Sequence, residues 1–196
     1  MTKRRFRRLC VFCGSSPGKG ARYVEAARHV GRRLAERGIG VVYGGGRVGL
    51  MGAVADGALA AGGDVIGVIP EKLKALEVDH QGLTELYVVE SMHARKSMMA
   101  QLADGFLALP GGWGTLEEVF EVTTWAQLNY HLKPVGVLNV DGYYDHLAAF
   151  VRHAVGEALI RPQHEGLIRF GADVDALVDE LAEVEIPELG RWIVKP

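Results

Sequence analysis

A chain of 196 residues with 48% hydrophobic and 23% charged residues can bury one sizeable core, and its net charge of −2 offers no global attraction to nucleic acid. The composition excludes a disordered chain, and no apolar run reaches the roughly eighteen residues that a membrane span requires. The basic stretch Lys3-Arg4-Arg5-Phe6-Arg7-Arg8 leads into only a short apolar run before Gly14, which is not a signal-peptide pattern, so a cytoplasmic protein is expected.

Strand-like and helical runs alternate along most of the chain. Residues 8–13 read as a first strand, followed by the loop Gly14-Ser15-Ser16-Pro17-Gly18-Lys19-Gly20. Cys10 and Cys13 lie on that strand at an odd spacing, so their side chains should point to opposite faces as buried free thiols. Residues 21–37 are helical: Val24, Ala27, Val30 and Leu34 repeat at three and four, and Gly38 is a natural stop. A second strand, 39–43, runs into Gly44-Gly45-Gly46-Arg47-Val48-Gly49 and a helix of small residues ending near Gly62. Residues 64–69 form a third strand halted by Pro70, after which 71–82 is less regular, with a helical turn expected at 73–76. A fourth strand covers 84–89, and a methionine-rich helix covers 91–104. The fifth strand, 105–109, leads to Pro110-Gly111-Gly112-Trp113-Gly114-Thr115-Leu116-Glu117-Glu118 and an amphipathic segment, 119–128. A sixth strand at 134–140, a helix at 143–159, a short segment at 167–170 and a helix at 174–183 complete the reading.

This alternation implies an α/β fold: a doubly wound, Rossmann-like parallel sheet with helices on both faces. We read residues 1–196 as one nucleotide-binding domain with a basic tail at 1–7 and a C-terminal tail at 185–196. The three glycine-rich loops all follow strands, which places them at the carboxyl edge of the sheet, where ligands of such folds bind.

Gly44-x-Gly46-x-x-Gly49 matches the dinucleotide fingerprint literally, but it follows the second strand, and Asp64 begins the next strand where an acid should end it. Gly14 to Lys19 is one residue short of the phosphate-loop spacing, and Gly20 replaces the metal-binding Ser or Thr. The turn at 110–115 is the strongest candidate, because glycines before a helix let main-chain amides and the positive helix end approach an anion. Thr115 and Glu118 admit two readings: a capping box, or a carboxylate beside that anion. Glu117 falls on a different side and reads as solvated. Arg95 shares a helix face with Met92 and Met99, so its guanidinium needs an anionic partner, either Glu118 or a phosphate. The histidines show no metal-ligand spacing, no serine elbow occurs, and no lysine is singled out as a Schiff base; neither a metal nor a cofactor is expected.

The turn 110–118, the preceding Met92-His93-Ala94-Arg95-Lys96 and the loops at 13–16 and 43–52 together resemble the LONELY GUY (LOG) family of cytokinin riboside 5′-monophosphate phosphoribohydrolases, long mislabelled lysine decarboxylases. The resemblance covers about residues 8–155, and Trp113 stands where plant members usually carry Tyr. It implies hydrolysis of the N-glycosidic bond of cytokinin riboside 5′-monophosphates or AMP, with Arg95 and Glu118 as the catalytic pair. By the same resemblance Gly111, Gly112, Gly114 and Thr115 hold the 5′-phosphate. Ser15, Gly45, Glu77, Lys96, Trp113, Leu116, Glu117 and Thr124 complete the substrate site, and the protein is a homodimer. The competing expectation is a nucleotide or molybdopterin-cofactor carrier, which needs the anion turn but not the Arg95 and Glu118 pair.

Overall fold

The computed structural model describes residues 3–74 and 79–187. Seven strands, β1 (Arg8–Phe12), β2 (Gly40–Tyr43), β3 (Val65–Pro70), β4 (Glu85–Val89), β5 (Gly105–Ala108), β6 (Val135–Leu138) and β7 (Ile168–Gly171), form one sheet in the order β4-β3-β2-β1-β5-β6-β7. Every pairing is parallel, with Leu9 opposite Gly105 and Phe12 opposite Ala108 where β1 meets β5. The helices between them are α1 (Arg22–Glu36), α2 (Gly49–Ala60), the single turn α3 (Glu71–Lys74), α4 (Met92–Leu102), α5 (Trp113–Gln127), α6 (Asp145–Gly156) and α7 (Val174–Glu183).

The fully buried strands β2, β3, β5 and β6 read as continuous apolar runs because both faces are covered. On one face α1, α2 and α7 enclose a core that includes Leu34, Val54, Leu107 and Leu181. On the other, α4 and α5 close over Phe106, Met99, Val119 and Val137, joined by Tyr144 and Leu147. Cys10 and Cys13 belong to opposite cores as free thiols, as the alternation along β1 requires. The chain winds outward from β1 to β4, crosses back through α4 to β5, and winds outward the other way. The strand order therefore reverses between β1 and β5, where the loops after two adjacent strands part and leave a crevice.

Several boundaries differ from expectation. β3 ends at Pro70 as expected but includes it: Pro70 is the last residue of the strand, paired with Val89 of β4, and α3 starts directly after it. Residues 168–171 form a full edge strand on β6, a role their weak pattern did not announce. The helix expected to begin near residue 115 starts two residues earlier, with Gly112 at its N-cap (φ −96°, ψ −147°) and no side-chain cap.

Candidate active site

Three strand ends build the crevice. The Gly14 N–H donates to the Pro110 carbonyl at 3.1 Å, and the Gly14 carbonyl accepts from Leu50 N–H at 3.0 Å, so the loops after β1, β2 and β5 form one hydrogen-bonded floor. Gly49 opens α2 at φ 61°, and a Cβ there would lie 2.3 Å from the Ser15 carbonyl oxygen, so only glycine fits that contact. At Gly111 a Cβ would meet the Thr115 hydroxyl at 2.0 Å, which shows how tightly the turn folds over the start of α5.

Thr115 is therefore packed beneath the turn, only 3% exposed, and does not cap the helix. The first helical bond runs from Leu116 N–H to the Gly112 carbonyl at 3.1 Å. The capping-box reading of Thr115 and Glu118 is thus overturned. Glu118 lies inside the first two turns of α5 and faces the cleft. The N–H groups at the head of α5 have no carbonyl one turn back and no side-chain cap.

The cleft has a volume of about 200 Å³. It is bounded by Cys13, Gly14 and Ser15, by Gly44 and Met51, by Arg95 and Met99, and by Gly112 to Thr115 with Glu118. Burial raises the Glu118 carboxyl from its ordinary 4.5 to about 7; Arg95 and Lys96 pull it down, and Glu117 and Glu121 push it up. The Cys13 thiol is pushed well up by burial, then by Glu118, so it stays protonated and is not a nucleophile.

Arg95 is 6% exposed, yet its partners are not carboxylates. Its Nε donates to the Val68 carbonyl at 3.0 Å and its Nη2 to the Gly44 carbonyl at 2.8 Å. The expectation of Glu118 as a direct partner is corrected: two strand-end carbonyls hold the guanidinium, and Arg95 acts on Glu118 through its field. Among the described residues its Nη1 meets the Met92 sulfur at 3.9 Å. A Cβ on Gly44 would stand 2.0 Å from Nη2, so the glycine is what admits the guanidinium. Lys96 donates to Glu117 and, at 3.0 Å, to Glu121. Glu117 is thus ion-paired and not simply solvated, and Lys96 is occupied by carboxylates of its own chain.

Similarity to known proteins agrees with this geometry. A family model described as "Possible lysine decarboxylase" matches residues 51–181. A probable cytokinin riboside 5′-monophosphate phosphoribohydrolase of Oryza sativa subsp. japonica is 54% identical over 91% of this chain and 79% of its own length. A cytokinin riboside 5′-monophosphate phosphoribohydrolase of Arabidopsis thaliana is 52% identical over 94% of this chain and 85% of its own. The chain belongs to the LOG family. Among solved structures, the molybdenum cofactor carrier protein of Chlamydomonas reinhardtii superposes with a TM-score of 0.69 at 24% identity, covering 92% of this chain and 100% of its own. The molybdenum cofactor binding protein of Rippkaea orientalis gives 0.69 at 22% identity, over 91% and 97%. Identity of that order establishes a common fold alone.

Within this LOG-family cleft the structure brings together Ser15, Arg95, Gly112, Trp113, Gly114, Thr115 and Glu118. Gly111 faces an adjoining apolar cleft of about 270 Å³ that shares Gly14, Ser15 and Gly112 with the first and is otherwise walled by Ser16, Gly18, Tyr23, Leu50, Pro110 and Tyr143. Gly45 turns away, taking φ 80° against Ile69 and Leu86. Leu116 packs on the α4–α5 side of the sheet, and Thr124 is exposed on α5, its hydroxyl donating to the Phe120 carbonyl at 2.7 Å. Neither reaches the cleft. Glu77 lies outside the described residues. Met51 and Met99 wall the cleft without having been singled out for it; both carried only a core signal in the sequence.

Proposed function

We propose that this LOG-family chain hydrolyses the N-glycosidic bond of adenine-type nucleoside 5′-monophosphates, cytokinin riboside 5′-monophosphates and AMP among them, to free base and ribose 5-phosphate. One observation carries the reading: the glycine turn's uncapped amides and the Glu118 carboxyl, which ionises near 7, open into the same cleft. The amides of Gly112 to Thr115 and the positive end of α5 hold the 5′-phosphate. Glu118 stands one turn further along the same helix, about 4.5 Å along its axis from Thr115.

Breaking the bond between the ribose C1′ and the base nitrogen leaves positive charge on the sugar. An ionised Glu118 stabilises that oxocarbenium-like ribose and takes a proton from the water whose oxygen bonds to C1′. The electron pair of the broken bond leaves with the base, whose nitrogen takes up a proton from solvent while Glu118 releases the one it accepted, so that one water is consumed overall. Arg95, anchored on Val68 and Gly44 at the wall of the cleft, keeps part of Glu118 ionised near neutral pH through its charge. The bound phosphate holds the ribose against both groups.

Lys96 does not suit the decarboxylase description. A Schiff-base amine must lose its proton; burial favours that loss at Lys96, but the hydrogen bonds it donates to Glu117 and Glu121 outweigh burial and raise its pKa. AMP as a substrate, a homodimer and a cytoplasmic location belong to the same proposal. The dimer is supported by apolar groups exposed on α4, α5 and the following loop, with Met92 at 41%, Trp113 at 89% and Tyr130 at 80%. Buried free thiols suit a reducing compartment, and among the described residues no helix is long and apolar enough to cross a membrane.

The test is to incubate the protein with AMP and with isopentenyladenosine 5′-monophosphate and to separate free base from nucleotide by chromatography. Release of base from either, with ribose 5-phosphate in equal amount, is expected. Tight binding with no base released from either points instead to a carrier.

A further inference from the structure

The anion turn is held from outside the cleft by the connection between β6 and α6. Asp141 and Gly142 take left-handed conformations, φ 49° and 73°, and reverse the chain. The Asn139 side chain fixes the result, accepting from Tyr144 N–H and donating to Asp145, both at 2.7 Å. Two successive tyrosines are thereby delivered to the β5–α5 turn. The Tyr144 hydroxyl donates to the Leu109 carbonyl at 2.8 Å, and the Tyr143 hydroxyl donates to the Gly111 carbonyl at 2.6 Å. The Tyr143 ring is braced edge-on against Tyr144 and against Tyr23 of α1, with centroids 4.8 Å and 5.6 Å apart.

The two hydroxyls have different consequences. The Leu109 carbonyl shares its peptide unit with Pro110, which has no N–H to orient. The Gly111 carbonyl shares its unit with the Gly112 N–H. In a planar trans peptide these two bonds point in opposite directions. Tyr143 lines the apolar cleft and not the one containing Glu118, whereas Gly112 borders both. Holding the carbonyl on Tyr143 therefore aims the Gly112 N–H toward Glu118's side. A peptide flanked by two glycines has no Cβ to resist rotation, so without that bond the amide can flip and present its oxygen to an anion.

We propose that Tyr143 is a positioning residue for the anion turn, its hydroxyl locking the Gly111–Gly112 peptide with the amide donor facing the cleft. The inference rests on the phosphate site proposed above. It extends the recognition of substrate to a side chain that does not itself touch the cleft.

The experiment compares Tyr143→Phe with Tyr23→Phe, which deletes a hydroxyl from the same apolar cleft whose partner is Arg22 and not the turn. Ribose 5-phosphate binding is measured by calorimetry, AMP turnover by steady-state kinetics, and Tm by thermal unfolding. Tyr143→Phe should bind ribose 5-phosphate about tenfold more weakly and raise KM for AMP by a similar factor, with kcat changed less than about twofold. Tyr23→Phe should leave both within about twofold, and both variants should unfold cooperatively as the wild type does. Unchanged ribose 5-phosphate affinity in Tyr143→Phe, or an equal loss in both variants, overturns the inference. A wild type that binds ribose 5-phosphate yet frees no base from AMP defeats the hydrolase reading alone, and the binding comparison still decides Tyr143. A wild type that ignores ribose 5-phosphate defeats both.

Discussion

Replacing Glu118 with Gln should stabilise the protein at alkaline pH and not at acid pH. The carboxyl ionises near 7 in the folded chain against an ordinary value of 4.5. Folding therefore favours its protonated form, and that contribution is complete below about 4.5 and is lost as pH rises through 7. The full displacement corresponds to about 3 kcal/mol of stability missing above pH 8. Glutamine keeps the shape and carries no charge, so it escapes the loss. Water reaching the cleft reduces the gain, and a Tm increase of about 3–8 °C at pH 8.5 is expected for a chain of this length. At pH 5, where Glu118 is protonated in the folded state, the two proteins should melt within about 1–2 °C of each other. Thermal unfolding followed by circular dichroism at both pH values decides the matter. An equal shift at both, or a lower Tm at pH 8.5, refutes the claim that burial raises the Glu118 carboxyl.

The remaining predictions concern the same cleft. With the ionised carboxylate acting as proposed, kcat/KM should rise with pH through about 7; Lys96→Met, which removes a cation that pulls Glu118 down, should move that midpoint to higher pH. A profile that falls across this range would show that the protonated form is the active one. Gly111→Ala should lower AMP turnover about a hundredfold or more and destabilise the fold by about 1–3 kcal/mol, since its Cβ would sit 2.0 Å from the Thr115 hydroxyl; kinetics and urea unfolding check both. Arg95→Lys should lower kcat by about a hundredfold or more with a native circular dichroism spectrum, because a single ammonium cannot reproduce the guanidinium's two fixed bonds to the Val68 and Gly44 carbonyls and so does not hold the charge in place at the cleft wall. Near-wild-type kcat in that variant would remove Arg95 from the catalytic pair.

How much of this could be read in the sequence depends on the range of the interaction. The strands and helices were legible because apolar spacing reports burial directly, as in Val24, Ala27, Val30 and Leu34 of α1. The placing of the glycine loops followed from strand–helix alternation, since each had to lie at a carboxyl end of the sheet. The partners of Arg95 were not legible: Val68 and Gly44 lie 27 and 51 residues away, and backbone carbonyls leave no mark in a sequence. The start of α5 was misplaced because Thr115-x-x-Glu118 is a sound local cap, whereas the fold places Thr115 under Gly111. Local chemistry lost there to tertiary packing. The edge strand β7 was faint for a related reason: among the described residues one side of it has no neighbouring strand, so three of its four residues need not be apolar and fully buried. The hydroxyl of Tyr143 on Gly111 joins residues 32 apart and had no sequence signal at all.

What Glu118 does to bound nucleotide tests the proposed chemistry most directly. Wild type and Glu118→Gln should be compared for AMP affinity by calorimetry and for release of adenine by chromatography in the same preparation. Affinity within about threefold, with turnover reduced by about a thousandfold or more, is the predicted result for a group that acts in the transition state and not in binding. Turnover that survives the substitution would return Glu118 to a structural role and contradict the proposed chemistry.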